Sequence, residues 1–391
     1  MILFVDQTGA LGGAELSLLD LSSEFRAESR VLLFKDGPFR ERLEEAGVEV
    51  SVCDSSMDSV RRSAGIFSAG VALGALVNPV REVLRLSEAS GVVYPNTQKA
   101  AFVSFLAAAL SGRSTVWHLR DIITSPHFSS FNRRLIVYMA NSYCVHVIAN
   151  SQATLDAFRE AGGRCNASVV YNGLKEEKFE AGREESSVWR ARLGLPDATT
   201  VGIFGRLAEW KGQLQFVEAL AECDGLRGLI VGEALFDGDD AYAEQVKNRV
   251  SELGVEDRVS FLGFRDDVPQ VMAACDAIVH ASTDPEPFGR VIVEAMLSRR
   301  PIVATRGGGA TELVGEHNER GILVDGGDVA QLRDAMKMVS ERSETRDRIV
   351  ADGLEFARGN CSLEETVRKV RDILEVYGDI TEIENEILAS S

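Results

Sequence analysis

Two α/β domains in tandem, each a parallel sheet with helices on both faces, are what this sequence predicts, and three observations carry that expectation. The chain has 391 residues, too many for one ordinary core and suited to two domains of about 150–200 residues each. Short apolar runs of strand length alternate with longer helical patterns, the signature of strand–helix–strand units. The alternation pauses in the charged stretch "KEEKFEAGREESS" near residue 180 and then starts again.

In order, the first half reads "MILFVD" as a strand, a Gly-rich turn "QTGALGGAE" and a helix "LSLLDLSSEF". "SRVLLF", "FRERLEEAG" and "VEVSVC" repeat the unit. "GVVYPN" leads to the helix "KAAFVSFLAAALSG" and then "STVWHL", and "VHVIAN" leads to "SQATLDAFREAG". The second half restarts with "TTVGIFGRL", "KGQLQFVEALAEC" and "GLRGLIVG". It continues through "VSFLGF", "DAIVHAS", "FGRVIVEAMLSR", "PIVAT" and "GILV". Consecutive strands separated by helices pair in parallel, which gives two Rossmann-like halves. A further helix is expected at about 362–377, followed by an acidic tail.

Composition narrows the function. Apolar residues make up 45% of the chain, as in soluble globular proteins. The N-terminus lacks a basic n-region, so no signal peptide is expected and a cytoplasmic location follows. Six cysteines lie far apart without metal-ligand spacing and read as small buried apolar residues. The net charge is −18, with 18 Lys+Arg against 20 Asp+Glu up to residue 180 and 24 against 40 beyond it. Nucleic acid, which needs a basic surface, is not expected as a partner. Only the first half can approach an anionic surface without strong repulsion. Between Arg62 and Arg81 lies an uncharged run interrupted by Gly, Ser and Asn-Pro, too broken for a membrane span. It reads as a buried helix with solvated ends, the alternative being an interfacial or acceptor-binding helix flanked by Arg61, Arg62, Arg81 and Arg85.

In open parallel sheets ligands bind beyond the carboxyl ends of the strands, and every chemistry-bearing motif here falls at such an end. Gly12-Gly13 follows the first strand and admits a phosphate or a tight turn, but the loop does not match G-x-G-x-x-G, which disfavours a nicotinamide enzyme. "FGRLAEWKG" puts Arg206 and Lys211 at a strand mouth, where two cations suit a diphosphate leaving group; the alternative is ion pairing with Glu209 or Glu233. "DPEPFGRVIVEAM" places Glu286 before a helix start and Glu294 inside an apolar helical run. Each carboxylate can accept from a vicinal diol, one holding sugar hydroxyls and the other a ribose, with the Gly289 and Arg290 amides aimed at an anion. His118 in "WHLRD" either touches the transferred group or is structural. "DGDD" (237–240) contains a D-x-D but reads as a solvated loop, so no metal is expected. "RGGGATELV" either covers a donor or merely turns.

The order of the Gly-Gly loop, "WHLRD", "ANSQATLDAF", "VVYNG", "GRLAEWKG", "FLGF", E-x7-E and "GGGATELV" resembles the retaining GT-B glycosyltransferases of family GT4, also called group 1, from about residue 5 to 335. The resemblance implies two Rossmann-like α/β/α domains facing each other across a deep cleft: an acceptor domain, 1–180, a nucleotide-sugar donor domain, 181–362, and a C-terminal helix with tail, 363–391. It implies that Arg206 and Lys211 hold the diphosphate, Glu286 the sugar and Glu294 the ribose. His118 would lie beside the sugar. Gly12, Gly13, Gly205, Gly289, Arg290 and Val291 would surround the nucleotide, and Gly263, Phe264 and Arg265 would edge the base. Asn96 and Lys99 in "YPNTQKA" would line the acceptor side. The expected function is metal-independent transfer of a hexose, foremost glucose, from UDP-glucose as co-substrate to a saccharide or lipid-linked saccharide in polysaccharide assembly. A cytoplasmic enzyme touching the inner face of a membrane through its N-terminal domain fits that picture. The competing readings are a nucleotide-sugar epimerase and a non-catalytic nucleotide-sugar-binding subunit. The family commonly carries a G-x-G after the second strand of the donor domain where this chain has "VGEALFDGDD", which puts the donor pocket in question.

Overall fold

The computed structural model describes residues 1–53, 67–125, 128–184, 186–195, 197–235 and 238–377. The chain forms two units: Met1–Gly173 together with the C-terminal segment from Leu363, and Leu174–Ser362.

In the first unit β1 (Ile2–Asp6), α1 (Gly13–Glu24), β2 (Ser29–Leu33), α2 (Pro38–Glu45) and β3 (Glu49–Val52) follow one another. Then come α3 (Phe67–Ser87), β4 (Val92–Pro95), α4 (Gln98–Ser111) and β5 (Val116–Leu119). The series closes with α5 (Ser130–Tyr143), β6 (His146–Ala149), α6 (Gln152–Glu160) and β7 (Asn166–Val169). The strands order as β3-β2-β1-β4 and β5-β6-β7, all parallel, and a parallel bridge from Val93 to Thr115 brings the two sheets together. Every residue of β1 is buried because helices cover both faces of the sheet, so the strand is continuously apolar up to Asp6. Local signals start the helices: the Ser129 and Ser151 hydroxyls accept from the amides three residues on.

The second unit begins with α7 (Glu177–Glu184) and α8 (Ser186–Arg192). It continues with β8 (Thr199–Phe204), α9 (Gln213–Ala221), β9 (Leu226–Val231), α10 (Asp239–Glu252) and β10 (Val259–Gly263). α11 (Val268–Ala274), β11 (Ala277–His280), α12 (Arg290–Leu297), β12 (Ile302–Thr305), α13 (Gly309–Val314) and β13 (Ile322–Val324) follow, then α14 (Val329–Ser340) and α15 (Glu344–Asn360). Its six-stranded parallel sheet has the order β10-β9-β8-β11-β12-β13, so the winding reverses between β8 and β11. The first unit reverses in the same way between β1 and β4. At such a reversal the loops leave in opposite directions and open a crevice at the strand ends.

The charged stretch read as a connection is helical instead: α7 and α8 pack on α11, and the units divide at Gly173–Leu174. Phe179 on α7 is buried whereas Val188 on α8 is exposed, a pattern too sparse to stand out among so many charges. The last helix, α16 (Leu363–Tyr377), returns to the first unit, where Val370 and Leu374 join Leu18, Leu21 and Phe25 in one core cluster. Arg371 pairs with Glu28 at 2.7 Å and stacks over Phe25, and the Tyr377 hydroxyl accepts from Asn166 at 3.0 Å. The tail beyond Tyr377 and the run from Asp54 to Ile66 lie outside the described residues.

Candidate active site

The second unit brings Lys211 and Glu286 together across its reversal point. β8 is followed by Gly205, whose φ of 130° turns the chain sharply, and a short 3-10 turn, Glu209–Lys211, ends at Gly212. A Cβ at Gly212 would lie 1.9 Å from the Ala281 carbonyl oxygen, so glycine there lets the loop after β8 lie against the loop after β11. The Thr283 amide donates to the Trp210 carbonyl at 2.8 Å and fastens the same two loops. Lys211 Nζ donates to Glu286 Oε2 at 2.7 Å and sits 3.9 Å from the centre of the Trp210 ring.

Glu286 Oε2 has further partners: Ser282 Oγ donates to it at 3.0 Å, and His280 Nε2 lies 3.1 Å away. Burial alone would raise the Glu286 pKa, but the Lys211 charge and the His280 hydrogen bond outweigh it and hold the carboxyl well below the usual carboxylate range. The group is therefore an anion at any physiological pH. The glycine run "RGGG" settles against the same segment: Gly309 N donates to the Glu286 carbonyl at 2.8 Å and Glu286 bridges Gly308. A Cβ on Gly309 would meet the Phe288 backbone at 2.7 Å and one on Gly307 would lie 3.3 Å from Pro285 Cα, so these two glycines permit close backbone approach.

Arg206 pairs with Asp239 at 3.3 Å, and its carbonyl accepts from Gln213 Nε2 at 2.9 Å. Neither Glu209 nor Glu233 takes the ion-pairing role that the sequence offered for Arg206 and Lys211. The "DGDD" reading is likewise corrected at Asp239. That side chain is 14% exposed, starts α10, and accepts from Arg206 and from the Leu235 amide, because the helix start and the strand-end guanidinium need a shared anion. No group of three or more metal-ligating side chains occurs among the described residues.

Gly289, at φ 96°, caps α12, and Arg290 and Glu294 pair along the helix at 2.9 Å, both mostly buried. Gly263 accepts from the Gly232 amide at 2.8 Å, Phe264 is 47% exposed, and Arg265 pairs with Asp267.

In the first unit the reversal point carries a buried polar network. Asn96 donates to Asp6 Oδ2 at 2.7 Å and to the Ala14 carbonyl at 3.3 Å, and Arg120 donates to Asn96 and to Asn172 Oδ1, the latter at 2.6 Å. Asn96 is 0% exposed, so its amide is spent inside the unit and does not line an acceptor surface as expected. Lys99 is exposed. Gly12 N donates to Glu15 Oε2 at 3.1 Å, which fixes the Gly12-Gly13 turn at the start of α1.

His118 is 1% exposed, and its Nδ1 lies 3.2 Å from Arg120 Nη2 and 2.7 Å from the Tyr94 hydroxyl. A guanidinium only donates, so Nδ1 must accept and the single ring proton sits on Nε2. Burial, followed by the Arg120 charge, pushes the imidazole pKa well down and keeps it neutral. Nε2–H is then a fixed donor with no protein partner among the described residues.

Sequence reasoning located the strand-end cations and carboxylates but missed His280, Ser282, Arg120 and Asn172. Each is an ordinary polar residue at a strand end whose role exists only through a partner distant in sequence.

The family profile described as glycosyl transferases group 1 matches residues 186–355. The lipopolysaccharide core biosynthesis glycosyltransferase LpsE of Rhizobium meliloti is 29% identical over 58% of this chain and 62% of its own length. The D-inositol 3-phosphate glycosyltransferase of Corynebacterium efficiens is 36% identical over 49% of this chain and 46% of its own. The chain thus spans less than two-thirds of the length of these curated relatives. Among solved structures, Anabaena HepE in complex with UDP-glucose superposes with a TM-score of 0.86 at 38% identity, over 96% of this chain and 99% of that one. HepE with UDP and glucose gives the same figures.

Proposed function

Because the chain belongs to the glycosyl transferases group 1 family and has its GT-B architecture of two Rossmann-like domains, we propose that it is a retaining, metal-independent hexosyltransferase. It takes glucose from UDP-glucose and delivers it to a saccharide or lipid-linked saccharide in polysaccharide assembly. The observation that carries this reading is the Lys211–Glu286 pair with Ser282 and His280 at the reversal point of the second unit, in a chain 38% identical to a protein whose structure holds UDP-glucose.

In this reading the donor's diphosphate draws Lys211 and Arg206 from their carboxylate partners, and their charges stabilise the leaving group as the glycosidic bond lengthens. Glu286, kept ionised and held by Oε2, offers Oε1 to vicinal sugar hydroxyls. Glu294 takes the ribose, the amides of Gly289, Arg290 and Val291 face the phosphates, and the turns at Gly205 and Gly263 to Arg265 border the nucleotide. The neutral Nε2–H of His118 donates to a hydroxyl of the transferred sugar, and the Gly12-Gly13 turn lies by the phosphates. The leaving phosphate accepts the acceptor's proton, so no protein nucleophile or general base is required. His118 is an unsuitable base because its Nδ1 lone pair is already engaged by Arg120 and Tyr94.

Calorimetric titration with UDP, GDP and ADP in EDTA, on wild type and Glu294→Ala, tests the donor site. Binding of UDP alone, weakened in the variant, is the expected result, and binding of none of the three would overturn the reading. Transfer from UDP-glucose to a saccharide panel, with the product anomer assigned by NMR, tests retention; an inverted product would remove it.

A further inference from the structure

Three arginines from separate elements of the second unit meet at the amino end of β11. Arg190 on α8 donates from Nη1 to the Ala274 carbonyl at 2.8 Å and lies 3.2 Å from Asp276 Oδ2. Its Nη2 donates to the Ala198 carbonyl at 2.8 Å. Arg300, two residues before β12, donates from Nη2 to the Ala273 carbonyl at 2.7 Å. Arg346, in the first turn of α15, donates from Nη2 to the Asp276 carbonyl at 3.1 Å. Apart from Ala198, the acceptors all fall within residues 273–276, between the end of α11 and the start of β11.

One carboxylate serves this group. Asp276 pairs with Arg190 and accepts from the Thr200 amide at 2.8 Å, while Arg300 and Arg346 have no ion pair among the described residues. Glu344 and Asp347 flank Arg346 in the first turn of α15, but both are exposed and neither pairs with it. Arg300 and Arg346 each spend one N–H on a carbonyl, and the Nε of each is buried without a partner. Burial, with the Arg346 and Arg190 charges acting in the same direction, lowers the Arg300 pKa, so the guanidiniums feel one another. Such a shortage of anions is out of place in a chain with 60 acids against 42 Lys and Arg. Helix capping explains only part of it. The carboxyl end of α11 carries about half a negative charge, which with Asp276 offsets roughly one and a half of the three positive charges. A comparable positive charge stays unmet.

We propose that Arg190, Arg300 and Arg346 form a binding site for a small phosphate-bearing anion, inorganic phosphate or a phosphomonoester, at the end of β11 remote from Glu286. Such a group carries about −1.5 to −2 at neutral pH, close to the unmet charge, and its oxygens suit the planar donor forks of arginine. An extended polyanion is disfavoured, because the chain beyond residue 180 holds 24 Lys+Arg against 40 Asp+Glu and would repel it outside this spot. Asp276 precedes β11 and His280 ends it, so about 13 Å of strand separates this site from the Lys211–Glu286 pair. The two sites do not overlap, and the proposal does not depend on the transferase reading.

Thermal unfolding and calorimetric titration of the full chain with inorganic phosphate, at constant ionic strength, test it. The wild-type melting temperature should rise with phosphate, as it does for any ligand of the folded state. Arg346→Gln should weaken phosphate binding at least ~10-fold. Arg300→Gln should also lose the phosphate response, even where loss of its bond to α11 lowers the starting stability. Lys211→Ala should keep it, which separates this site from the cation after β8. Glycerol phosphate in place of phosphate tells the sources apart: tighter binding of the ester assigns the site to a phosphomonoester, tighter binding of phosphate to the free ion. Three results would overturn the proposal. They are no rise in wild type, an equal rise in wild type and Arg346→Gln, which is the general effect of the salt, and a response lost in Lys211→Ala but kept in Arg346→Gln.

Discussion

Lys211, His280 and Ser282 converge on one oxygen of Glu286, and that concentration of partners makes the residue's charge testable. His280 acts as a positioning residue: it touches the carboxylate, not the sugar, in the proposed reaction. Removing its hydrogen bond weakens support for the ionised form, so the Glu286 pKa must rise. In His280→Ala the Glu286 carboxyl, followed by NMR of labelled glutamate side chains, should therefore titrate at higher pH, and His280→Gln, which keeps a donor, should bring it back. An unchanged Glu286 titration would remove this role. Lys211→Ala should slow transfer at least ~100-fold through lost leaving-group stabilisation, measured as kcat with saturating UDP-glucose. A near-normal rate would reassign the lysine to structure. Of these residues, Lys211 and Glu286 were legible because they sit in compact motifs. His280 was not, since "DAIVHAS" reads as one more buried strand and its histidine acquires meaning only through a loop six residues away.

Loops following β8 and β11 are held at contact distance by glycines rather than by side-chain packing. Gly212 has φ 74° and no room for a methyl group, so Gly212→Ala must displace either the Ala281 carbonyl or the turn carrying Lys211. The expected cost is about 1–3 kcal/mol. Urea denaturation followed through the second unit measures it, and an unchanged midpoint would contradict the close approach. The sequence made the strands and their order of appearance legible because buried parallel strands read as unbroken apolar runs. α7 and α8 were hidden for the opposite reason: their helical pattern rests on a few apolar positions among many charges, and only packing against α11 reveals them.

Taken whole, the molecule carries its buried acids unevenly. Asp6 and Glu15 lie inside the first unit, where burial, and for Glu15 next the Asp6 charge, push their pKa values up to about 6 and about 8. An acid whose folded pKa is raised favours the protonated form in the fold, so the folded unit binds more protons than the unfolded chain between the ordinary carboxylate range and about pH 8. Stability of the first unit should fall as pH rises through that window and level off above it. Calorimetric scans from pH 5 to 9 should show its transition moving down, and Glu15→Gln, which can still accept from Gly12 N, should flatten the slope. A transition that is indifferent to pH in wild type, or equally sloped in the variant, would count against buried Glu15 as the cause.

The return of α16 to the first unit also sets an order of events during synthesis. The ribosome completes β1 to β7 and then all of Leu174–Ser362 before it releases the residues that cover Leu21 and Phe25. The earliest part of the chain thus waits with an open apolar seam until the last helix emerges, and a transcript cut short after the second unit would yield a nascent N-terminal domain whose core faces water.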